Sequence, residues 1–386
     1  VGTIANNDDN GYLWTGNAGD GNFSNGANWS NGSVAPSSSN IAMFDGVCND
    51  VPANCNASTS ANINVQGLWF NSNYSGLVTQ TAGHSVTVGA GNWIQVGGVF
   101  EGGNSNITIG GGFDLRNASF TSTTADLSVS KDVGIHNSTF DHNGGTFKLT
   151  GGNPPTVNFY APNTTFNNLE IHKNAGGSGG AVLKLEAGST VTVAGNMVVN
   201  MTGLWGSRLE GLSSTIEVMG DYTSLLSGGS DSYNVKLKLV GGNGQTVNGA
   251  GGKFPSIEIA KAPGAVVSFI NDLKLTGHLV YSSGIVDVSG LTSLSFVNTD
   301  GNNVTGNVNV DMPGVVFPNL NVLISGVSSG SCNVNFLSDI EVSGDVFVNM
   351  QVSAAQRIYG PGRIKVQGNI TLQSLSGGNA GFDAIG

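Results

Sequence analysis

Charge is scarce in this chain. Its 386 residues hold 14 Lys and Arg against 25 Asp and Glu, so 10% of the sequence is charged and the formal net charge is −11. A surface of that sign repels phosphate, which argues against nucleic acid as a partner. Long apolar runs are also lacking. The longest are a few residues, far short of the roughly 20 that a membrane-crossing helix needs, so no membrane insertion is expected. Helical periodicity is absent too, because each candidate stretch is interrupted by Gly, Asn or β-branched residues, poor choices for a helix interior. Cysteine is limited to three positions. Cys48 and Cys55, within CNDVPANC, lie close enough around Pro52 for a tight loop to join them as a disulfide, which implies an oxidising compartment. A metal pair is the other reading, but no further Cys or His lies nearby. Cys332 is left over and reads as a small buried apolar residue, with an intermolecular bridge as the sharper alternative.

What the chain does have is glycine, 60 residues of it, and alternation. One short pattern recurs: an alternating apolar stretch, a glycine beside a small polar residue, then a second alternating stretch. It occurs as SVTVGAGNWIQV (85–96), NITIGGGFDL (106–115), DLSVSKDVGI (126–135), TVTVAGNMVV (190–199), TIEVMGDYTS (215–224), DLKLTGHLVY (272–281), DIEVSGDVFV (339–348) and RIKVQGNITL (363–372). Adjacent copies start about 20 to 25 residues apart, the range in which a fixed period signals a solenoid. Alternation places every second side chain on one face that must be buried. The steps Gly195-Asn196, Gly220-Asp221, Gly344-Asp345 and Gly368-Asn369 supply residues that tolerate positive φ, so the chain is expected to turn a corner there. A longer repeat overlies the short one. KLTGGNPPTVN (148–158) followed by FNNLEI (166–171) is echoed by KLVGGNGQTVN (238–248) followed by FPSIEI (254–259), and more loosely by FPNLNV (317–322). The predicted fold is an all-β, right-handed parallel β-helix (β-solenoid), with an N-terminal capping module over residues 1–60 and the solenoid over 61–386.

Residues 12–46 differ from the rest in aromatic content and turn density. Trp14, Trp29 and Phe44 are spaced as core anchors and read as a plug over the first coil, since an open solenoid end exposes strand edge and core. A sugar-stacking aromatic platform is the functional alternative. The order Trp14, Gly16, Phe23-Ser24, Asn28-Trp29, Pro36, Ala42 and Phe44 resembles the module that opens many bacterial secreted, autotransporter-passenger-like β-helical surface proteins, with Asn40 where that pattern has Asp. The F-x-N-L-x-I step at Phe166 is likewise similar to repeats of large bacterial cell-surface proteins. The resemblance implies an adhesin-like, secreted protein of the cell surface, and the Val1 start without Met is consistent with processing.

Candidate chemistry is thin. Glu217 with Asp221, and Glu341 with Asp345, recur at equivalent repeat positions and read as structural, and no locally perturbed acid/base pair stands out, so no enzymatic activity is expected. The five histidines, His84, His136, His142, His172 and His278, lack metal-ligand spacing. Asn6, Asp8 and Asn10 alternate before Gly11, faintly like a calcium loop, but without the bidentate Glu that completes one. No cofactor is expected. Twelve Asn-x-Ser/Thr sequons, Asn28, Asn117, Asn137, Asn163 and Asn303 among them, permit surface glycans. The expected role is an extracellular structural or adhesive protein that self-associates into a fibre or matrix filament. The alternative is a carbohydrate-binding or carbohydrate-degrading β-helix.

Overall fold

A computed structural model describes residues 11–50, 54–152, 155–175, 180–203, 207–226, 235–298, 306–325, 332–351, 356–373 and 380–382. Among them every regular element is a β-strand except two 3₁₀ turns, Gly26–Asn28 and Val47–Asp50. All paired strands are parallel, and successive coils stack into a β-solenoid of about 12 turns in all. The expected all-β parallel solenoid is therefore the fold. Each repeat copy forms two strands flanking a short step, a glycine step at Ile107–Ile109 with Phe113–Arg116 and at Ile340–Val342 with Val346–Gln351, and Ser130-Lys131-Asp132 in the copy at 126–135.

The chain forms two compact units, Val1–His172 and Lys173–Gly386. The expected capping module, residues 1–60, belongs to the first unit. There the strands Gly11–Leu13 and Ile41–Phe44 add directly to Gly67–Phe70, so the aromatic segment is built onto the same sheet as the coils that follow.

In the first unit the period-2 pattern becomes columns of like residues. One inward column runs Ile63, Val86, Ile107, Leu127, Phe147, Leu169, and its neighbour runs Val65, Val88, Ile109, Val129, Leu149, Ile171. All twelve are buried, and each coil covers the apolar face of the one before, which no coil could do alone. Aromatic side chains form a further rail. Phe100, Phe120 and Phe140 stack with ring centroids 5.1 and 5.8 Å apart, and contacts continue through Phe147 and Phe159 to Phe166. The aromatics are thus not confined to the cap but line the core of the whole first unit.

The second unit repeats the scheme with aliphatics. Val191, Ile216, Leu237, Ile257, Leu279, Val310 and Phe336 form one inward column. Leu273, Leu294, Leu320, Val346 and Ile370 form another. Its described aromatic contact is Tyr222 with Phe254, 5.6 Å between centroids.

The glycine steps work differently from the expectation. Gly195, Gly220, Gly344 and Gly368 do not adopt positive φ; that conformation occurs at other positions, among them Asn92, Asn117, Asn137 and Asn163. The step needs glycine because coils touch there. A Cβ on Gly220 would sit 2.5 Å from the carbonyl oxygen of Gly195 one coil back. The polar residue after the glycine then ties the coils together. Asn196 Oδ1 accepts from the Asp221 N–H at 2.8 Å, and Asp221 Oδ1 accepts from the Thr246 N–H at 2.7 Å. The device recurs where Asn319 Oδ1 accepts the Asp345 N–H at 2.9 Å and Asp345 Oδ1 accepts the Asn369 N–H at 2.8 Å. These bonds satisfy backbone donors that the corner would leave unpaired.

Candidate functional site

At the N-terminal end, Trp14, Trp29 and Phe44 are fully buried. Trp29 meets Trp14 edge to face at 5.1 Å and Phe23 at 4.8 Å, and its Nε1 donates to the Phe23 carbonyl at 2.7 Å. Phe44 stacks on Phe70 of the following strand at 5.0 Å. This packing is compatible with a cap and leaves no ring face open for a sugar. Asn28 holds the turn beneath it. Its Oδ1 accepts from the Ala18 N–H at 2.8 Å, and its Nδ2 donates to Asp20 and to the Asn22 carbonyl. The Asn28 sequon is therefore buried in the folded chain. Hydrogen bonds from Asn22, Asn25 and Asn28 hold the Asp20 carboxyl below its ordinary value. Cys48 and Cys55 are joined by a disulfide with Cα atoms 5.0 Å apart. Tyr74 donates its hydroxyl to the Cys55 carbonyl at 2.6 Å.

Asn6, Asp8 and Asn10 lie outside the described residues, as does the Cys332 side chain; its backbone opens the strand Cys332–Phe336. No group of three metal-binding side chains occurs among the described residues, and no described helix is long and apolar enough to cross a membrane.

The outward acids largely serve the stack. Lys148 sits between Asp126 at 2.9 Å and Glu170 at 3.4 Å. Glu217, Lys238 and Glu258 alternate up one outward column, with Lys238 2.9 Å from Glu217, while Lys236 pairs with Glu258 at 2.6 Å. Burial would raise the Glu258 carboxyl, but the Lys236 hydrogen bond and the charges of Lys236 and Lys238 leave it below its ordinary value. The acids expected to be structural, Glu217 with Asp221 and Glu341 with Asp345, all make bonds to a neighbouring coil.

Two surface grooves stand apart. One, of about 550 Å³ in the second unit, is lined by Gly314–Val316, Asp339–Glu341 and Arg363–Lys365. Its charges are matched: Arg363 donates twice to Asp339 Oδ2, at 3.2 and 2.9 Å, and Lys365 donates to Glu341 at 2.8 Å. Hydrogen bonds from Arg363 and from Lys365, respectively, hold the Asp339 and Glu341 carboxyls below their ordinary values.

The other groove, of about 380 Å³, lies on the outer face of the first unit and spans four successive coils. Parallel register brings Trp69, Ile94, Asp114, Gly134 and Tyr160 into one outward column, with Arg116 and His136 side by side in the next. Arg116 grips Asp114 through Nε at 3.1 Å and Nη2 at 2.8 Å. Asp132 accepts from the backbone and side-chain nitrogens of Asn158 at 2.9 and 3.1 Å. Among the described residues, the side chains of Lys131, His136 and Tyr160 have no hydrogen-bond or ion-pair partner, although all three line the groove. Gly134 makes the depth: a Cβ there would fall 2.8 Å from His136 Nε2 and 3.3 Å from Asp114 Oδ1.

His136 stood out in the sequence only as one of five histidines without metal-ligand spacing. Asp114, Arg116, Lys131, Asp132 and Tyr160 did not stand out at all. The 20-residue offset between the copies at 106 and 126 contains the Arg116–His136 juxtaposition. Tyr160 is hidden because GGNPP lengthens its coil and shifts the offset.

These features define a parallel β-solenoid with a buried aromatic cluster near its N-terminus and an outward polar groove. No family model, curated protein or solved structure matches the chain.

Proposed function

We propose that this chain is an extracellular structural and adhesive protein whose repeat is itself the working element. The observation that carries the reading is the use of outward polar groups between coils. Lys148 bridges two coils, Lys238 and Glu217 join two more, and side-chain oxygens of the Asn and Asp residues in the glycine steps accept from the next coil's backbone N–H. A body tied in this way has few exposed backbone donors for proteases to engage. The Cys48–Cys55 disulfide is in keeping with an oxidising, secreted setting, and the resemblance of residues 12–46 to openings of bacterial surface proteins points the same way.

Self-association belongs to this reading. Ile370 and Leu372 continue two inward columns of the second unit yet are 55% and 62% exposed. Their strand pairs with Val346–Gln351 and ends the described sheet, and exposed apolar residues on an edge strand are a template for another chain, here a second copy. Two measurements test the proposal. The folded chain should resist trypsin and chymotrypsin for hours under conditions that digest the denatured chain within minutes. It should also associate with rising concentration in analytical ultracentrifugation, an effect lost in I370K/L372K. Rapid proteolysis of the native chain would sink the structural reading, and dispersed monomers in electron micrographs at high concentration would sink the self-association.

A further inference from the structure

We infer that the outer groove of the first unit binds an extended oligosaccharide. This goes beyond the scaffold reading and is tested independently of it. Sugars offer hydroxyls that both donate and accept, next to apolar C–H faces, and a site that orients them combines acceptors, donors and an aromatic plane. Asp114 supplies acceptor oxygens, and Arg116, which it holds in place, supplies donors on a planar fork. Lys131 and His136 bring polar groups with no described protein partner, and Tyr160 brings a half-buried ring at the end of the column. The notch at Gly134 lets a ring settle between Asp114 and Tyr160, in register with both.

Other ligand classes suit the groove less well. Two carboxylates, Asp114 and Asp132, oppose a phosphate, and both are already engaged by protein donors, which does not suit a metal ion. Within the groove the column from Ile94 to Tyr160 crosses three inter-coil steps, roughly 14 Å at about 4.8 Å per step. That spacing is comparable with the repeat of one sugar ring along an extended chain, so successive coils can address successive rings. The groove of the second unit also pairs its acids with its bases, but it lacks an aromatic side chain against which a sugar face can pack. It serves as the internal control.

The experiment is titration calorimetry of the full chain with short linear oligosaccharides, neutral cello- and xylo-oligosaccharides in one arm and oligogalacturonates in the other. Saturable binding is expected in at least one arm. Tyr160→Ala and Arg116→Ala should each weaken it about tenfold or more, and Gly134→Val should abolish it by filling the notch. Arg363→Ala, in the control groove, should leave it unchanged. Circular dichroism confirms that each variant is folded, and Asn158→Ala provides a second groove variant should Gly134→Val misfold. Absence of saturable binding in both arms, or folded Tyr160→Ala and Arg116→Ala variants that bind within twofold of the parent, would overturn the inference.

Discussion

Asparagine does two jobs in this chain, distinguished by backbone conformation. In the glycine steps it caps the next coil, as Asn196 does for Asp221. At Asn117, Asn137 and Asn163 it holds φ near +50°, at 52°, 49° and 55°, a region that costs most L-residues roughly 1 to 2 kcal/mol and asparagine less. Asn117→Gly should therefore leave urea stability within about 0.5 kcal/mol of the parent, whereas Asn117→Val should lose about 1 to 2 kcal/mol. Equal stability of the two variants would mean that the corner relaxes out of the left-handed region. Trp29 poses a different test. It is buried, hydrogen-bonded to Phe23 and packed on three rings, those of Trp14, Phe23 and Phe44. Trp29→Ala should cost about 3 to 5 kcal/mol in denaturant unfolding, whereas a cost below about 1 kcal/mol would show that the plug does not support the first coils.

At the scale of the strand and the ladder, charge contributes less than its regularity suggests. The Lys238 and Glu217 side chains are 29% and 27% exposed, and pairs so accessible contribute no more than about 1 kcal/mol. Their effect is clearer in pH. Asp20, Glu258, Asp339 and Glu341 are all held below their ordinary values. The stability they contribute is complete above the unfolded values of 3.8 and 4.5 and is lost as pH falls through the lower folded values. His278 acts earlier. Its Nδ1 accepts the Asn309 N–H at 2.9 Å, and desolvation pushes it below 6.5. The unfolded chain therefore binds this proton first, and stability should begin to fall below pH 6.5. Thermal melts from pH 7.5 to 3.5 should show both phases, and His278→Gln should remove only the earlier one. A melting temperature that holds constant from pH 7 down to 4 would refute this. The strands were legible in the sequence because alternation fixes which face is buried, and each repeat copy resolves into its two strands. The reason for the glycines was not. A requirement for positive φ and a requirement for close approach select the same residue, and only the neighbouring coil distinguishes them. The groove was hidden for a related reason: Asp114 and Tyr160 lie 46 residues apart in the chain, and only the register of the coil between them, through Gly134, sets them in one column.

For the molecule as a whole, the division into Val1–His172 and Lys173–Gly386 has consequences for unfolding. Solenoid stability is a sum over coils and their interfaces, so stretches of different core chemistry can melt separately. The first unit has an aromatic rail and the disulfide, while the second is packed chiefly with aliphatics. The tryptophans report on the two units unequally, since Trp14, Trp29, Trp69 and Trp93 belong to the first and Trp205 alone to the second. Denaturant curves followed by tryptophan fluorescence should therefore trace mainly the first unit, and those followed by far-ultraviolet circular dichroism should trace both, so the two should not superimpose. Reduction of Cys48–Cys55, which closes a short loop, should shift the fluorescence transition downward by an amount corresponding to about 2 to 3 kcal/mol. Part of the dichroism transition should stay in place under reduction, because the second unit does not depend on that bond. Superimposable curves that move together on reduction would instead show that cooperativity runs through all the coils, and the two units would then be one folding body.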